Sequence, residues 1–172
     1  VRSSWRPATI GPPPGFGRAT DQPEVQVVAV CDKDRTRLSE RGEAAGIAAD
    51  RCYRDYRKLF RDAGELGLDA VSVALPNALH APVTVAAFKA GLHVLCEKPM
   101  ATSARDARRM IRAARDAKRK LMINFSFRFT DQSQALKRLV DSGAVGEIYY
   151  GRTVWHRRRG LPVSAGGERR RG

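Results

Sequence analysis

The sequence predicts an α/β protein: a parallel sheet with helices on both faces, followed by the start of an α+β domain. Three observations lead there. Short apolar runs at 25–32 ("VQVVAVCD"), 70–75 ("AVSVAL"), 93–97 ("HVLCE") and 121–127 ("LMINFSF") are continuous rather than alternating, as strands buried on both faces are. Segments of helical period separate them, which is the rhythm of βαβ units. Each run also gives way to polar or charged residues, so such groups collect at one edge of the expected sheet.

Taken in order, residues 1–24 read as irregular. Pro7, Pro12, Pro13, Pro14 and Pro23 deny helix, and Gly11, Gly15 and Gly17 add turns. "ATIG" (8–11) has some likeness to the end of a strand, but the expectation is that none forms there, leaving the sheet without its central member. A strand follows at 25–32, then a helix from about Thr36 to Ala45 and a short strand at 51–53. Tyr56, Leu59 and Phe60 mark a short amphipathic helix. After the strand at 70–75, "HAPVTVAAFKAG" reads as a helix closed by Gly91. Ser103 and Asp106 fit a capping box at the start of a helix over 103–118. Its expected packing face is Ala104, Ala107, Ile111 and Ala114, with Arg105, Arg108, Arg109, Arg112 and Arg115 as a solvated side. A last helix, Thr130 to Ser142, carries Leu136, Leu139 and Val140 on one side. "GEIYYGRTVWH" (146–156) alternates like a longer, half-exposed strand, whose unpaired edge would be an association surface. The expected organisation is an irregular segment 1–24, a sheet domain 25–128, the start of a second domain at 129–156, and a disordered basic tail 157–172.

Composition narrows the function classes. The chain has 172 residues, 42% of them hydrophobic, enough for one domain or a domain and a half with a real core. No apolar stretch approaches the roughly 18 residues of a membrane span, and the first residues lack the apolar core of a signal peptide. Cys31, Cys52 and Cys96 are odd in number and without metal spacing, so free thiols and a cytoplasmic location are expected and no metal site is. The net charge of +14 raises the question of nucleic acid. Its distribution weighs against that partner: the first 20 residues hold +3, residues 152–172 hold +6, and only +5 is left for the long middle.

The candidate site follows from strand ends. In open parallel sheets, ligands bind beyond the carboxyl ends, where strand order reverses. Asp32 with Lys33 stands after the first apolar run, and Pro76, Asn77 and His80 after the second. Glu97, Lys98 and Pro99 follow the third, and Asn124 and Arg128 the fourth. Asp32 either caps the next helix or accepts hydrogen bonds from ribose hydroxyls. In the second role it favours NAD over NADP, because an acid repels a 2′-phosphate; Lys33 beside it weakens that choice. Asn77 and His80 either shape a turn and begin a helix or line a ligand. Lys98 is either an ordinary surface lysine or the group that stabilises a developing alkoxide and transfers a proton. Pro99 holds Lys98 out of helical geometry in either case. His93 reads as a strand residue with a satisfied partner, and His156 as structural.

Those residues carry a resemblance. "VVAVCDKD", the stretch from "DAVSVALPNALHAPVTVAAFKAGLHVLCEKPMATS" to "LMINFSFRF", and "LKRLVDSGAVGEIYYGRTVWHRRRG" together resemble the Gfo/Idh/MocA family of NAD(P)-dependent oxidoreductases, over roughly residues 25–160. The resemblance implies a Rossmann domain, incomplete here, followed by an α+β domain whose sheet forms the substrate site and often an oligomer interface. It implies hydride transfer between a nicotinamide cofactor and a hydroxyl carbon of a sugar, polyol or related compound. By that resemblance Asp32 matches the ribose-binding acid, and Pro76, Asn77 and His80 the loop along the cofactor. Glu97 and Lys98 match the motif beside the nicotinamide, with Lys98 the catalytic residue, and Asn124 and Arg128 line the cleft.

Two departures accompany it. Gly11, Gly15 and Gly17 do not have the Gly-x-Gly-x-x-Gly spacing of a phosphate turn, and Pro12, Pro13 and Pro14 lack the N–H groups that would cradle one. The last residues also change texture and do not continue a sheet. The expectation is therefore an oxidoreductase-family chain that is truncated or out of frame at its ends, with weak or no turnover. A non-catalytic remnant that binds a nucleotide or a partner, and a basic nucleic-acid binder, are the alternatives.

Overall fold

The protein was analysed as a computed structural model, which describes residues 7–10, 24–154 and 156. Six strands form one sheet: β1 (Pro7–Ile10), β2 (Ala29–Cys31), β3 (Cys52–Tyr53), β4 (Ala70–Val73), β5 (His93–Glu97) and β6 (Leu121–Asn124). Their order is β3-β2-β1-β4-β5-β6, and every neighbouring pair is parallel. This is the Rossmann order, with the direction of progression reversing between β1 and β4. Helices α1 (Arg35–Ala44), α2 (Tyr56–Arg61), α3 (Asn77–Lys89) and α4 (Ala104–Asp116) connect the strands.

The first strand corrects the expectation for residues 1–24. β1 forms and occupies the centre of the sheet, with Ala8, Thr9 and Ile10 opposite Ala29, Val30 and Cys31, and Pro7 to Ile10 opposite Ala70 to Val73. Proline deters a strand only where its N–H is needed, and Pro7 is the first residue, where the loss costs least. Two flanking strands hold β1, so its weak intrinsic signal does not decide its state. Gly11, Gly15 and Gly17, the residues of the atypical turn, lie outside the described residues.

Elsewhere the apolar runs become strands that are shorter than the runs themselves. β2 keeps three residues of 25–32, although Val28 is as buried as the ladder. The run at 121–127 stops at Asn124 and turns into a 3₁₀ segment, Ser126–Phe129. In-register pairing puts Val71, Val94 and Leu121 on one sheet face, and two residues on it adds Val73, Cys96 and Ile123. α3 and α4 cover that face. α3 buries Ala81, Val83, Thr84, Val85, Ala87 and Phe88, so it is apolar nearly all round, as a helix packed on several sides must be. It begins at Asn77, a full turn before the expected start, and the chain leaves it through Gly91 at φ +76°.

α4 has the expected cap: Ser103 Oγ accepts from the N–H of Asp106 at 3.1 Å and donates to its carboxylate at 2.8 Å. Its packing face is turned from the expected one. Met110 is fully buried and Ala114 nearly so, while Ile111 is 40% exposed. The alanines are too small to fix the rotation, and the unbranched, adaptable Met110 joins the core instead.

A second compact unit begins after Asn124. It contains the 3₁₀ segment and α5 (Asp131–Asp141), capped by Thr130, whose Oγ1 accepts from the N–H of Ser133. No residue of α5 is buried: Leu136 and Leu139 are exposed. The strand expected at 146–156 is not formed among its described residues. Tyr149 is 95% exposed, and nothing there lies alongside to complete a ladder. Alternation is a strand signal only when another strand supplies the hydrogen bonds.

Candidate functional site

Because all six strands run the same way, their carboxyl ends form one rim. Asp32 follows β2, Pro76 and Asn77 follow β4, Glu97 closes β5 with Lys98 next, and Asn124 closes β6. β2 and β5 are three strand spacings apart, about 14 Å. The reversal between β1 and β4 falls between them, which is where open α/β sheets bind their ligands.

At the β2 end, Asp32 is 7% exposed and accepts three hydrogen bonds. Its Oδ2 accepts from Arg37 Nε at 3.0 Å, and its Oδ1 from Arg37 Nη2 at 3.1 Å and from the N–H of Asp34 at 2.9 Å. The helix cap is Asp34, which accepts from the N–H of Arg37, so Asp32 is not the cap. Burial pushes the Asp32 carboxyl upward. The Arg37 and Asp34 hydrogen bonds, with the positive charges of Arg37 and Arg41, outweigh it and hold the group below the usual carboxylate range. Lys33 is exposed, and its carbonyl accepts from Arg54 at 3.3 Å.

Arg37 was not singled out in the sequence. It is 48% exposed and forms a side-on, two-point pair with the acid. The available signal was its place: five residues after the acid, on the first turn of the following helix, where a long side chain reaches back over the strand end.

At the β4 end, Pro76 and Asn77 are exposed, and the carbonyl of Pro76 accepts from the N–H of Leu79 at 2.8 Å to start α3. His80 is different: it is 1% exposed. Its Nδ1 lies 2.7 Å from the carbonyl oxygen of Pro99, and its Nε2 lies 2.8 Å from that of Leu75.

At the β5 end, Glu97 Oε1 accepts from Asn124 Nδ2 at 2.6 Å, and its Oε2 from the N–H of Lys98 at 3.3 Å. Register explains the first bond, since Glu97 and Asn124 are paired residues of β5 and β6. Lys98 is exposed, and among the described residues its ammonium has no hydrogen bond or ion pair. The Lys98–Pro99 peptide is cis. Arg128 belongs to the second unit, where it is exposed and its backbone N–H donates to the carbonyl of Phe125. His93 is satisfied: its Nδ1 accepts from the N–H of Lys120 at 2.9 Å. Among the described residues no group of three or more His, Cys, Asp or Glu could hold a metal, and no helix is long and apolar enough to cross a membrane.

The rim therefore presents a buried carboxylate at one position and, at another, an ammonium without a partner among the described residues, with Asn77 between. Comparison with known proteins bears on what such an edge holds. A family profile described as "Oxidoreductase family, NAD-binding Rossmann fold" (GFO_IDH_MocA) matches residues 16–125. D-apiose dehydrogenase of Rhizobium rhizogenes is 35% identical over 140 residues, covering 81% of this chain and 39% of that protein. Inositol 2-dehydrogenase of Salmonella paratyphi B is 37% identical over 124 residues, 72% of this chain and 36% of that one. The solved aldose-aldose oxidoreductase of Caulobacter crescentus, complexed with glycerol, superposes with a TM-score of 0.76 at 33% identity, over 83% of this chain and 44% of that one. The chain thus spans about two fifths of the length of the relatives it matches.

Proposed function

The chain belongs to the Gfo/Idh/MocA family of oxidoreductases and carries its NAD-binding Rossmann fold, and from that premise we propose that it takes part in hydride transfer between NAD or NADP and a hydroxyl-bearing carbon of a sugar, polyol or related small molecule. The observation that carries this reading is the common rim, with the Asp32 carboxylate and the exposed Lys98 on opposite sides of the reversal point.

The dinucleotide supplies the hydride acceptor or donor when bound; this chain's residues bind, orient and handle the proton. Asp32 receives a hydroxyl of the adenosine ribose. A carboxylate offers about four acceptor positions. Arg37 and Asp34 use three, so one remains on Oδ2. The acid and Arg37 together are close to neutral, which lowers the penalty on a 2′-phosphate and leaves NAD favoured only modestly. Pro76 and Asn77 border the middle of the cofactor. Glu97, held by Asn124, fixes the backbone N–H of Lys98. The Lys98 ammonium then faces the substrate hydroxyl, stabilises the developing alkoxide and gives or takes its proton.

Adding the chain to NADH tests the reading. Saturable change in NADH fluorescence, abolished by Asp32→Lys, is expected. A folded chain that leaves NADH and NADPH fluorescence unchanged at millimolar concentration overturns it.

A further inference from the structure

We propose that His80 is a positioning residue: a two-point brace that ties the loop after β4 to the loop after β5 and so holds Lys98 in place. The inference rests on the reading of Lys98 given above and adds what keeps that residue still.

His80 lies in the first turn of α3, yet its ring is turned inward and nearly fully buried. Its two polar atoms do not meet side chains. Nε2 meets the carbonyl of Leu75, two residues past β4, and Nδ1 meets the carbonyl of Pro99, two residues past β5. Both partners are backbone oxygens of rim loops on adjacent strands. A carbonyl oxygen can only accept, so the ring is the donor. A neutral imidazole has one N–H, so it donates to one of the two oxygens and seats its other nitrogen against the second loop. Both separations, 2.7 and 2.8 Å, lie within hydrogen-bond range, so the ring is wedged against both loops at once.

The consequence falls on the dipeptide Lys98–Pro99. Its leading N–H is held by the Glu97 carboxylate, and its trailing C=O by His80. Both ends of the backbone are fixed while the Lys98 side chain stays free. Loss of the ring would release the trailing end and let the ammonium wander over the rim, with no change in the residues that touch cofactor at the β2 end.

The test uses the chain itself. Ring-nitrogen correlation spectra of ¹⁵N-histidine-labelled protein, assigned with His80→Gln, should show a His80 ring N–H protected from exchange with water. A ring N–H that exchanges as fast as that of an exposed histidine would refute the two-point brace. Reductive ¹³C-methylation then reports on Lys98, assigned with Lys98→Arg. His80→Phe should shift and broaden that signal and leave the Lys33 and Lys89 signals alone, and His80→Gln, which keeps N–H donors, should restore it at least in part. A folded His80→Phe protein with an unmoved Lys98 signal also refutes the proposal. If His80→Phe does not fold, the ring-nitrogen result on the parent chain decides. NADH is added in a separate arm: failure to move the Lys98 signal in the parent chain counts against the cofactor reading, whereas the two results above count against the brace.

Discussion

Two strands of this sheet end in a cysteine followed by an acid and meet different fates. β2 ends on Cys31 with Asp32 next, β5 on Cys96 and Glu97, and both thiols are buried. At the β2 end the acid is matched by a guanidinium at two points. At the β5 end the acid engages only neutral donors, the Asn124 amide and the Lys98 N–H, and the neighbouring ammonium is left without a partner among the described residues. The difference separates two uses of charge. A matched pair presents a fixed, nearly neutral surface suited to binding a constant part of a ligand. An unmatched ammonium on a fixed backbone is suited to meeting charge that develops only during a reaction.

The largest effect should come from the unmatched side. Lys98→Ala should lower kcat for alcohol oxidation by about 10²-fold or more, the scale for removing one donor to a developing oxyanion. NADH affinity should change by no more than about threefold, the split expected of a transition-state interaction. Steady-state kinetics beside fluorescence titration checks it, with the substitution made in a complete, active protein carrying this sequence. Equal losses in kcat and in cofactor affinity would make Lys98 another binding residue and erase the contrast.

The matched side should answer differently. Arg37→Ala leaves Asp32 as a buried carboxylate without its guanidinium partner at the ribose position. NADPH binding should weaken by about tenfold or more, since even a modest charge repulsion at protein-surface dielectric exceeds the 1.4 kcal/mol that a factor of ten requires. NADH binding should hold or improve, because two acceptor positions return to the carboxylate. Parallel titrations with the two cofactors read the ratio, and an unchanged ratio would mean that Arg37 stands clear of the ribose.

How much of this was legible in the sequence depends on where the deciding force lies. Strands buried on both faces announce themselves by continuous apolar runs, so β2, β4, β5 and β6 were readable, with their polar ends. β1 was not, because Pro7 and the prolines after it mask four residues that only their neighbours hold straight. The residues at 146–156 failed in the opposite sense: the alternation is present, and among the described residues the partner is not. At the site, single residues at strand ends could be named from the parallel-sheet rule, whereas their couplings could not. The Asp32–Arg37 pair and the two carbonyl contacts of His80 depend on side-chain direction, which spacing alone does not give.

A smaller effect separates the ends by pH. Asp32 ionises more readily in the folded chain than in the unfolded one, so the unfolded chain binds more protons in the acid range. The pair's stabilisation is therefore complete above the ordinary carboxylate value, about 3.9, and is lost as pH falls below it. Urea midpoints measured from pH 6 to pH 3 should fall more steeply for the parent chain than for Asp32→Asn or Arg37→Ala. Superimposable profiles would show that the pair contributes nothing to the folded state.

The finest discrimination comes from the thiols beneath the two acids. Burial pushes Cys31 up to about 12, with the negative charges of Asp55 and Asp32 adding to it, and burial pushes Cys96 up to about 11. At pH 8 the thiolate fractions are then about 10⁻⁴ and 10⁻³, far below that of an ordinary thiol. Cys52 is only half-buried, so iodoacetamide should label it first, and mass spectrometry can place the label. Cys31 and Cys96 should react only through local opening, each at its own strand end. Arg37→Ala should then speed labelling at Cys31 and leave Cys96 unchanged, while His80→Phe should do the reverse. If either substitution accelerates both thiols equally, the two ends open as one unit. The rim would then be a single cooperative element, and the division between a matched end and an available end would hold for charge but not for mechanics.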